Sequence, residues 1–249
     1  MSKLSLLYGW EVKGRTQIIT FFAMLFIYTF LLRLSLQEKI GTPPTSNFAV
    51  REVVGQVLFS FLPNVYLLLV PISAMLATLS FSYEIDTGVA RFILSLPMKR
   101  TTVFVGKYLS TVTVLVLPFM ISFISLLIYL DPATFNYVTF LLSSQAVMIG
   151  LGLCILEILF ILSVAILSAV VTNQTMIAPL PSIIVLLFLY YIGALLPKPG
   201  SYIPPFSLRR ALPFAGSIPS FLEPVLILLF VTVVVSVVAI YVYLHKEVP

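Results

Sequence analysis

The chain has 249 residues, of which 60% are hydrophobic and 9% are charged, whereas soluble globular chains carry roughly 45 to 50% apolar and about 25% charged residues. With 14 Lys and Arg against 9 Asp and Glu, the sequence cannot cover a water-facing surface, which excludes a soluble enzyme, a nucleic-acid-binding domain and a disordered protein. The single cysteine, Cys154, and the single histidine, His245, are too few for an intramembrane metal enzyme, so we predict no metal site and no catalytic residues.

Residues 1–15 are predicted to form an N-terminal helix at the membrane interface. Trp10 is the only tryptophan, and tryptophan favours the boundary between lipid and water. Glu11 and Arg15 have the i, i+4 spacing at which an acid and a base pair on one helix face. The simplest interpretation of this segment is an anchor to lipid headgroups.

Six apolar stretches are long enough to cross a membrane, since about 20 residues span roughly 30 Å of hydrocarbon. They cover residues 16–36, 53–81, 103–130, 139–171, 176–196 and 221–244. None carries Lys, Arg or Asp at its centre, where each would cost about 2.5 to 3.5 kcal/mol. We therefore predict an all-α, polytopic membrane protein whose residues 1–249 form a single transmembrane domain with six helices.

Two polar residues inside the predicted spans are candidate functional residues. Glu157 is ionisable and lies near the centre of the fourth span, where such a residue is a functional hypothesis by default. No other span offers a charged partner at similar depth, which favours a structural or neutral carboxyl over a proton relay. Asn64 lies in the second span beside Pro63 and before Pro71, and these prolines predict a kink.

The orientation follows from the distribution of Lys and Arg, because the cytoplasmic side of a membrane protein is enriched in both. With six spans the two termini share a side, which carries Lys3, Lys13, Arg15, Arg91, Lys99, Arg100, Lys107 and Lys246. The other side carries Arg33, Lys39, Arg51, Lys198, Arg209 and Arg210. This small excess predicts a multi-pass protein of the plasma membrane with both termini in the cytoplasm.

The loop between the second and third spans has the densest charge of the chain, and residues 86–97 within it predict a short helix. Asp86 or Thr87 can cap its N-terminus, and Pro97 ends it. Its apolar residues follow one helical stripe: Val89, Phe92, Ile93 and Leu96. Such a helix either rests on lipid headgroups or docks onto a cytoplasmic partner.

A set of residues in and after this loop has the order Glu, Gly, leucine-rich L-P-x-x-R and G-K: Glu84, Gly88, Leu94, Leu96, Pro97, Arg100, Gly106 and Lys107. The order and spacing resemble those of the permease subunits of type 2 ABC transporters. The length of the chain, its six spans, its N-terminal helix and its long last loop are similar to that family as well.

The resemblance implies that residues 86–97 are a coupling helix, which sits in a groove of a separate ATPase and passes the closure of that ATPase to the membrane helices. It assigns this contact to Glu84, Asp86, Gly88, Arg91, Phe92, Leu94, Pro97 and Arg100. It also implies that the N-terminal helix, with Trp10, Glu11 and Arg15, touches the ATPase. No G-x-x-x-x-G-K-[ST] phosphate loop occurs in the chain, so ATP and Mg are expected on the partner and no cofactor is expected here.

The resemblance further implies short extracellular re-entrant helices in residues 197–220, a segment rich in proline and too apolar for a flexible linker. It implies a homodimer or a heterodimer of permease chains that binds two ATPase copies and exports an amphipathic, lipid-like, drug-like or peptide cargo. Membrane lipid is an expected partner, and nucleic acid is not. An ATP-independent secondary transporter, or a channel-like or membrane-organising subunit, remains the alternative.

Overall fold

The computed structural model of the chain describes residues 8, 11, 14–39, 47–83, 99–130, 145–172, 174–196 and 218–246. The regular structure in these ranges is helical, as predicted. The helices are α1 (Arg15–Lys39), α2 (Asn47–Ala77), α3 (Arg100–Leu130), α4 (Gln145–Val171), α5 (Pro179–Leu195) and α6 (Ile218–His245). A π-helical turn, Thr78–Ser82, extends α2.

Five of these helices contain a segment that is long and apolar enough to cross a membrane. The segments are Arg15–Gln37, Asn64–Ser82, Arg100–Tyr129, Gly150–Val171 and Val225–His245. The remaining helix, α5, is apolar but has only 17 residues. The general prediction of a multi-pass, all-helical membrane protein is confirmed.

The fifth predicted span began at Met176, but α5 begins at Pro179. The residues before it form a turn in which the amide of Ala178 donates to the carbonyl oxygen of Gln174 at 3.0 Å. Proline is favoured in the first turn of a helix, because its missing N–H would have no partner there. Hydropathy alone could not separate this apolar turn from the helix that follows it.

The central helix of the bundle is α4, which packs against α2, α5 and α6, while α1 packs mainly against α3 and α2. In the apolar segment of α4, 61% of the residues are buried, against 17% in that of α6 and 22% in that of α1. The helices α1 and α6 therefore present most of their apolar surface outwards, which suits lipid as the surrounding solvent.

One end of the bundle gathers the first residues of α1, α3 and α5 and the last residues of α2, α4 and α6, and we call it the shared end. Hydrogen bonds join its helices: Gln17 to Ser80, Ser82 to the carbonyl of Thr172, and Ser168 to the carbonyl of Ala178. Glu11 of the N-terminal segment and Lys246 near the C-terminus lie there too. The chain thus leaves the shared end in α1, α3 and α5 and returns to it in α2, α4 and α6.

Aromatic side chains hold α1, α2 and α3 together in the interior. The ring of Phe119 lies 5.7 Å from the ring of Tyr28 and 5.7 Å from that of Phe61, measured between centroids. All three side chains are buried. Nearby, the hydroxyl groups of Thr29 and Ser122 share a hydrogen bond of 2.9 Å between α1 and α3.

We expect the substitution Phe119→Ala to lower the free energy of unfolding by about 3 kcal/mol, because it leaves a cavity among these rings. Phe22→Ala is the matched control, since Phe22 is 63% exposed on α1 and loses few protein contacts. Denaturant titration of the detergent-solubilised variants measures both values. Equal losses for the two variants would contradict the packing described here.

Candidate functional site

A buried ion pair lies at the shared end. Lys107, two turns into α3, is 1% exposed, and its Nζ atom lies 3.2 Å from Oε1 of Glu11. The same Nζ donates a hydrogen bond of 2.9 Å to the carbonyl oxygen of Ser80 and lies 6.0 Å from the centre of the Phe81 ring. A buried charge is tolerable only when it is paired and hydrogen-bonded, so these contacts determine whether the ammonium group can stay inside.

The π-helical turn at the end of α2 supplies two of the polar atoms around this pair. The carbonyl of Ser80 accepts from Lys107, and its hydroxyl accepts from Nε2 of Gln17 at 3.3 Å. A π-helical turn widens the helix and changes the direction of its carbonyl groups, and such turns are frequent at functional sites. The end of α2 is therefore joined to both α1 and α3 through one residue.

The N-terminal segment is held against α3 by side-chain contacts. Besides the Glu11 contact, the hydroxyl of Tyr8 lies 2.9 Å from Oγ1 of Thr113 and shares a hydrogen bond with it. The amide of Gly14 donates to the carbonyl of Glu11 at 3.0 Å. A Cβ atom on Gly14 would lie 3.0 Å from that same carbonyl oxygen, so glycine allows this close turn into α1.

Glu11 pairs with Lys107, whereas Arg15, which lies four residues after Glu11, is exposed at the start of α1. An exposed pair four residues apart on a helix contributes only about 0.3 to 0.5 kcal/mol. Because Lys107 is buried and desolvated, its ammonium group gains more from a carboxylate partner than an exposed guanidinium group would.

The Thr29–Ser122 hydrogen bond shows how α1 and α3 are aligned along their length, and this register locates the ion pair along the bundle. In that register the first residue of α1 lies about level with Lys107, roughly two turns inside α3. The helix α3 has 31 residues and is therefore ~46 Å long, more than the roughly 30 Å of hydrocarbon. The first turns of α3 extend past the start of α1, and we therefore expect the ion pair to lie near a membrane boundary rather than at mid-depth.

Two further cations bind the last carbonyl groups of helices at the shared end. Arg100 donates from Nη1 to the carbonyl oxygens of Leu244 at 3.3 Å and Lys246 at 3.1 Å, and Nζ of Lys246 donates to the carbonyl of Val170. Cations are stabilised at helix C-termini by unpaired carbonyls and the helix dipole. Partial burial lowers the pKa of Lys246 below its ordinary value, because it disfavours the charged form. Arg100, predicted as a coupling residue, thus joins the start of α3 to the end of α6.

The other residues predicted for coupling lie outside the described residues, and so does Trp10 of the N-terminal helix. They are Glu84, Asp86, Gly88, Arg91, Phe92, Leu94 and Pro97. The predicted coupling helix at 86–97 and most of the external segment 197–220 also lie outside, apart from residues 218–220, which begin α6. These predictions therefore stay predictions.

Glu157 is buried in the middle of α4, with 2% of its surface exposed. Neither carboxyl oxygen receives a hydrogen bond from a residue in the described ranges. Beside it is a cavity of about 10 Å³, lined also by Tyr66, Cys154 and Phe61, which is about the room that one water molecule needs. An ionised carboxylate in such a place would be very costly, so we expect Glu157 to carry a proton.

Asn64, the other candidate within the spans, does not meet Glu157 in the interior. Its side chain is exposed on α2. The α-helix continues through Asn64 and Pro71 up to Ala77, where the π-helical turn begins. Position 64 is therefore separate from the buried carboxyl group, although both were predicted from polarity inside an apolar span.

Lys107, Ser80 and Gln17 were not predicted as site residues. Lys107 had a detectable signal, because a lysine two turns inside an apolar helix needs a partner. Its partner Glu11 is 96 positions away in the chain, and Ser80 is 27 positions away. No local pattern in the sequence connects Lys107 with Glu11 or with Ser80.

No protein-family model matches this chain, and no curated protein sequence matches it. The functional conclusion therefore depends on the residues and contacts described above.

We expect Lys107→Met to lower the free energy of unfolding by about 3 kcal/mol, because removing one partner of a buried pair leaves the other without compensation. The double variant Glu11→Gln with Lys107→Met should lose less than the sum of the two single variants. Lys99→Met removes an exposed cation from the same helix end and is the control, with an expected effect near zero. Additive losses in this cycle would contradict the ion pair.

We expect Glu157→Gln to change the free energy of unfolding by no more than about 1 kcal/mol, since a neutral amide replaces a neutral carboxyl group of similar size. Glu11→Gln is the matched comparison: the same substitution there removes the partner of a buried cation and should cost several times more. A loss of about 3 kcal/mol at position 157 would mean that its carboxylate is ionised and paired.

Proposed function

We propose that this chain is the membrane subunit of an ATP-driven exporter of the type 2 ABC class. In this proposal two permease chains form the transport unit, and two copies of a separate cytoplasmic ATPase bind to it. One observation supports the proposal most strongly. Residues 84–98 connect the end of α2 to the start of α3, and the buried Lys107 joins these same two helix ends through its bond to Ser80. Lys107 is also paired with Glu11 of the N-terminal segment.

The alternation of the helices supports six crossings. The helix α5 begins at the shared end, where Ser168 bonds to the carbonyl of Ala178, and α6 ends there, where Arg100 bonds to the carbonyl of Leu244. The 17 residues of α5 reach ~25 Å, close to the thickness of the hydrocarbon. With α5 as the sixth crossing, both termini lie on the side that the distribution of Lys and Arg favours as cytoplasmic.

The contacts of Lys107 suit a loop that transmits force. The loop leaves the end of α2 after Tyr83 and enters α3 at Arg100, while Lys107 ties α3 to Ser80 of the π-helical turn. A partner that pushes residues 86–97 would move the end of α2 and the start of α3 together. Glu11 extends this connection to the N-terminal segment, the second predicted contact with the ATPase.

No G-x-x-x-x-G-K-[ST] phosphate loop occurs in these 249 residues, which agrees with a separate ATPase as the energy source in this proposal. The outward faces of α1, α5 and α6 are apolar, with Phe30, Phe188 and Phe230 more than half exposed. Such faces can contact lipid or a second permease chain. A path between two such apolar surfaces favours an amphipathic, lipid-like, drug-like or peptide cargo over a hydrated ion.

A secondary transporter is the second candidate, and Glu157 is the observation that favours it. A buried carboxyl group beside a cavity with room for one water molecule can bind and release a proton if the bundle opens. Such a transporter would lose transport on Glu157→Gln and would need no ATPase. An ABC exporter would keep transport in that variant.

The decisive experiment combines the full chain with its candidate ATPase in proteoliposomes. We expect ATP-dependent extrusion of an amphipathic dye and stimulation of ATP hydrolysis by the permease. Phe92→Ala, in the predicted coupling helix, should reduce ATPase binding at least tenfold. Phe22→Ala, on the outward face of α1, is the matched control and should leave binding unchanged.

Lys107→Met tests the transmission step separately from binding. We expect this variant to keep the ATPase bound but to lose most of the stimulated hydrolysis, because the loop is no longer fixed to the π-helical turn. The exporter proposal is wrong if no ATPase with Walker motifs co-purifies with the chain and if Phe92→Ala and Arg100→Ala leave transport untouched.

A further inference from the structure

A groove lies between the first turns of α1 and the facing part of α3. Its volume is about 240 Å³, and its walls are apolar apart from Gln17 and Thr113. Three of the lining residues are also exposed on the outer surface of the bundle: Ile18 at 44%, Phe22 at 63% and Leu117 at 46%. Because both helices contain membrane-spanning segments, the groove opens towards the lipid.

A cation lies one turn before Ile18 on α1, next to the residues that line this groove. Arg15, Ile18 and Phe22 have the spacing i, i+3 and i+7, so they follow one stripe of α1. Arg15 is exposed at the first residue of the helix, where the membrane boundary is expected. Since Glu11 is engaged by Lys107, the acidic side chain nearest in sequence does not neutralise Arg15.

The polar edge of the groove touches the N-terminal segment. Thr113, which lines the groove, shares its hydrogen bond with the hydroxyl of Tyr8. The groove therefore has apolar walls that face the lipid, and the guanidinium group of Arg15 lies next to it at the expected membrane boundary. The N-terminal segment contacts its polar edge at Thr113. Basic sites between membrane helices at the cytoplasmic side are suited to anionic lipid headgroups, and guanidinium matches phosphate with paired hydrogen bonds.

We propose that the groove between α1 and α3 binds one anionic phospholipid, with an acyl chain along Ile18, Phe22 and Leu117 and its phosphate at Arg15. The charge of Arg15 selects the headgroup, and the apolar walls select the chain. A free anion would lack the apolar contacts, and a zwitterionic lipid would carry a second, repelled cation.

Native mass spectrometry tests the proposal on the full chain in micelles that contain equal amounts of phosphatidylglycerol and phosphatidylcholine with the same acyl chains. We expect one retained phosphatidylglycerol per chain in preference to phosphatidylcholine. Arg15→Gln should reduce this retention roughly fivefold, the effect of one cation near an anionic surface. Arg33→Gln is the matched control, because it removes the same charge from the opposite end of α1, where Arg33 lies over the ring of Tyr129.

Filling the groove tests the chain contact. Leu117→Trp should abolish preferential retention, whereas Leu229→Trp, at a similarly exposed position (48%) on α6, should not. Equal retention of the two lipids, equal effects of Arg15→Gln and Arg33→Gln, or undiminished retention in Leu117→Trp would each overturn the proposal. Arg15 is exposed, so its variant is expected to fold, and the headgroup result stands even if Leu117→Trp disturbs packing.

Discussion

The buried ammonium group of Lys107 is the constraint on which the shared end of the bundle depends. In an apolar chain that group needs an anion and an acceptor within reach, and it finds Glu11 at 3.2 Å and the carbonyl of Ser80 at 2.9 Å. Each partner comes from a different part of the chain, so satisfying one charge fixes three segments relative to each other. The N-terminal segment lies against α3, and the end of α2 turns its π-helical carbonyl towards the same point.

Two further cations of the shared end follow a related rule. Arg100 and Lys246 bind the last carbonyl groups of α6 and α4, which would otherwise need water at a helix C-terminus. Charge is scarce in this protein, and these residues use it to connect helix ends rather than to cover a surface. The excess of Lys and Arg that suggests a cytoplasmic side therefore also has a structural use.

The positions of the helices could be predicted from hydropathy, because lipid requires long apolar segments with internally bonded backbone. The contacts at the shared end could not. The i, i+4 spacing of Glu11 and Arg15 gives no sign that Glu11 pairs with a desolvated cation 96 positions away. The turn before Pro179 was equally invisible to hydropathy, since its residues are as apolar as the helix. Lys107 itself was present in the predicted G-K motif, but only packing gave it a role.

Lys107 and Glu157 are two ionisable side chains that the bundle buries in different ways. Lys107 is paired at the shared end, while Glu157 lies beside Tyr66 in the interior, has no hydrogen bond from the described residues and is expected to be neutral. Separating Lys107 from Glu11 would leave two poorly hydrated ions, so these residues should move as one body. The two groups thus show two ways in which an apolar chain accommodates an ionisable side chain: a paired charge at a helix end, and a carboxyl group that is buried without a hydrogen bond from the described residues.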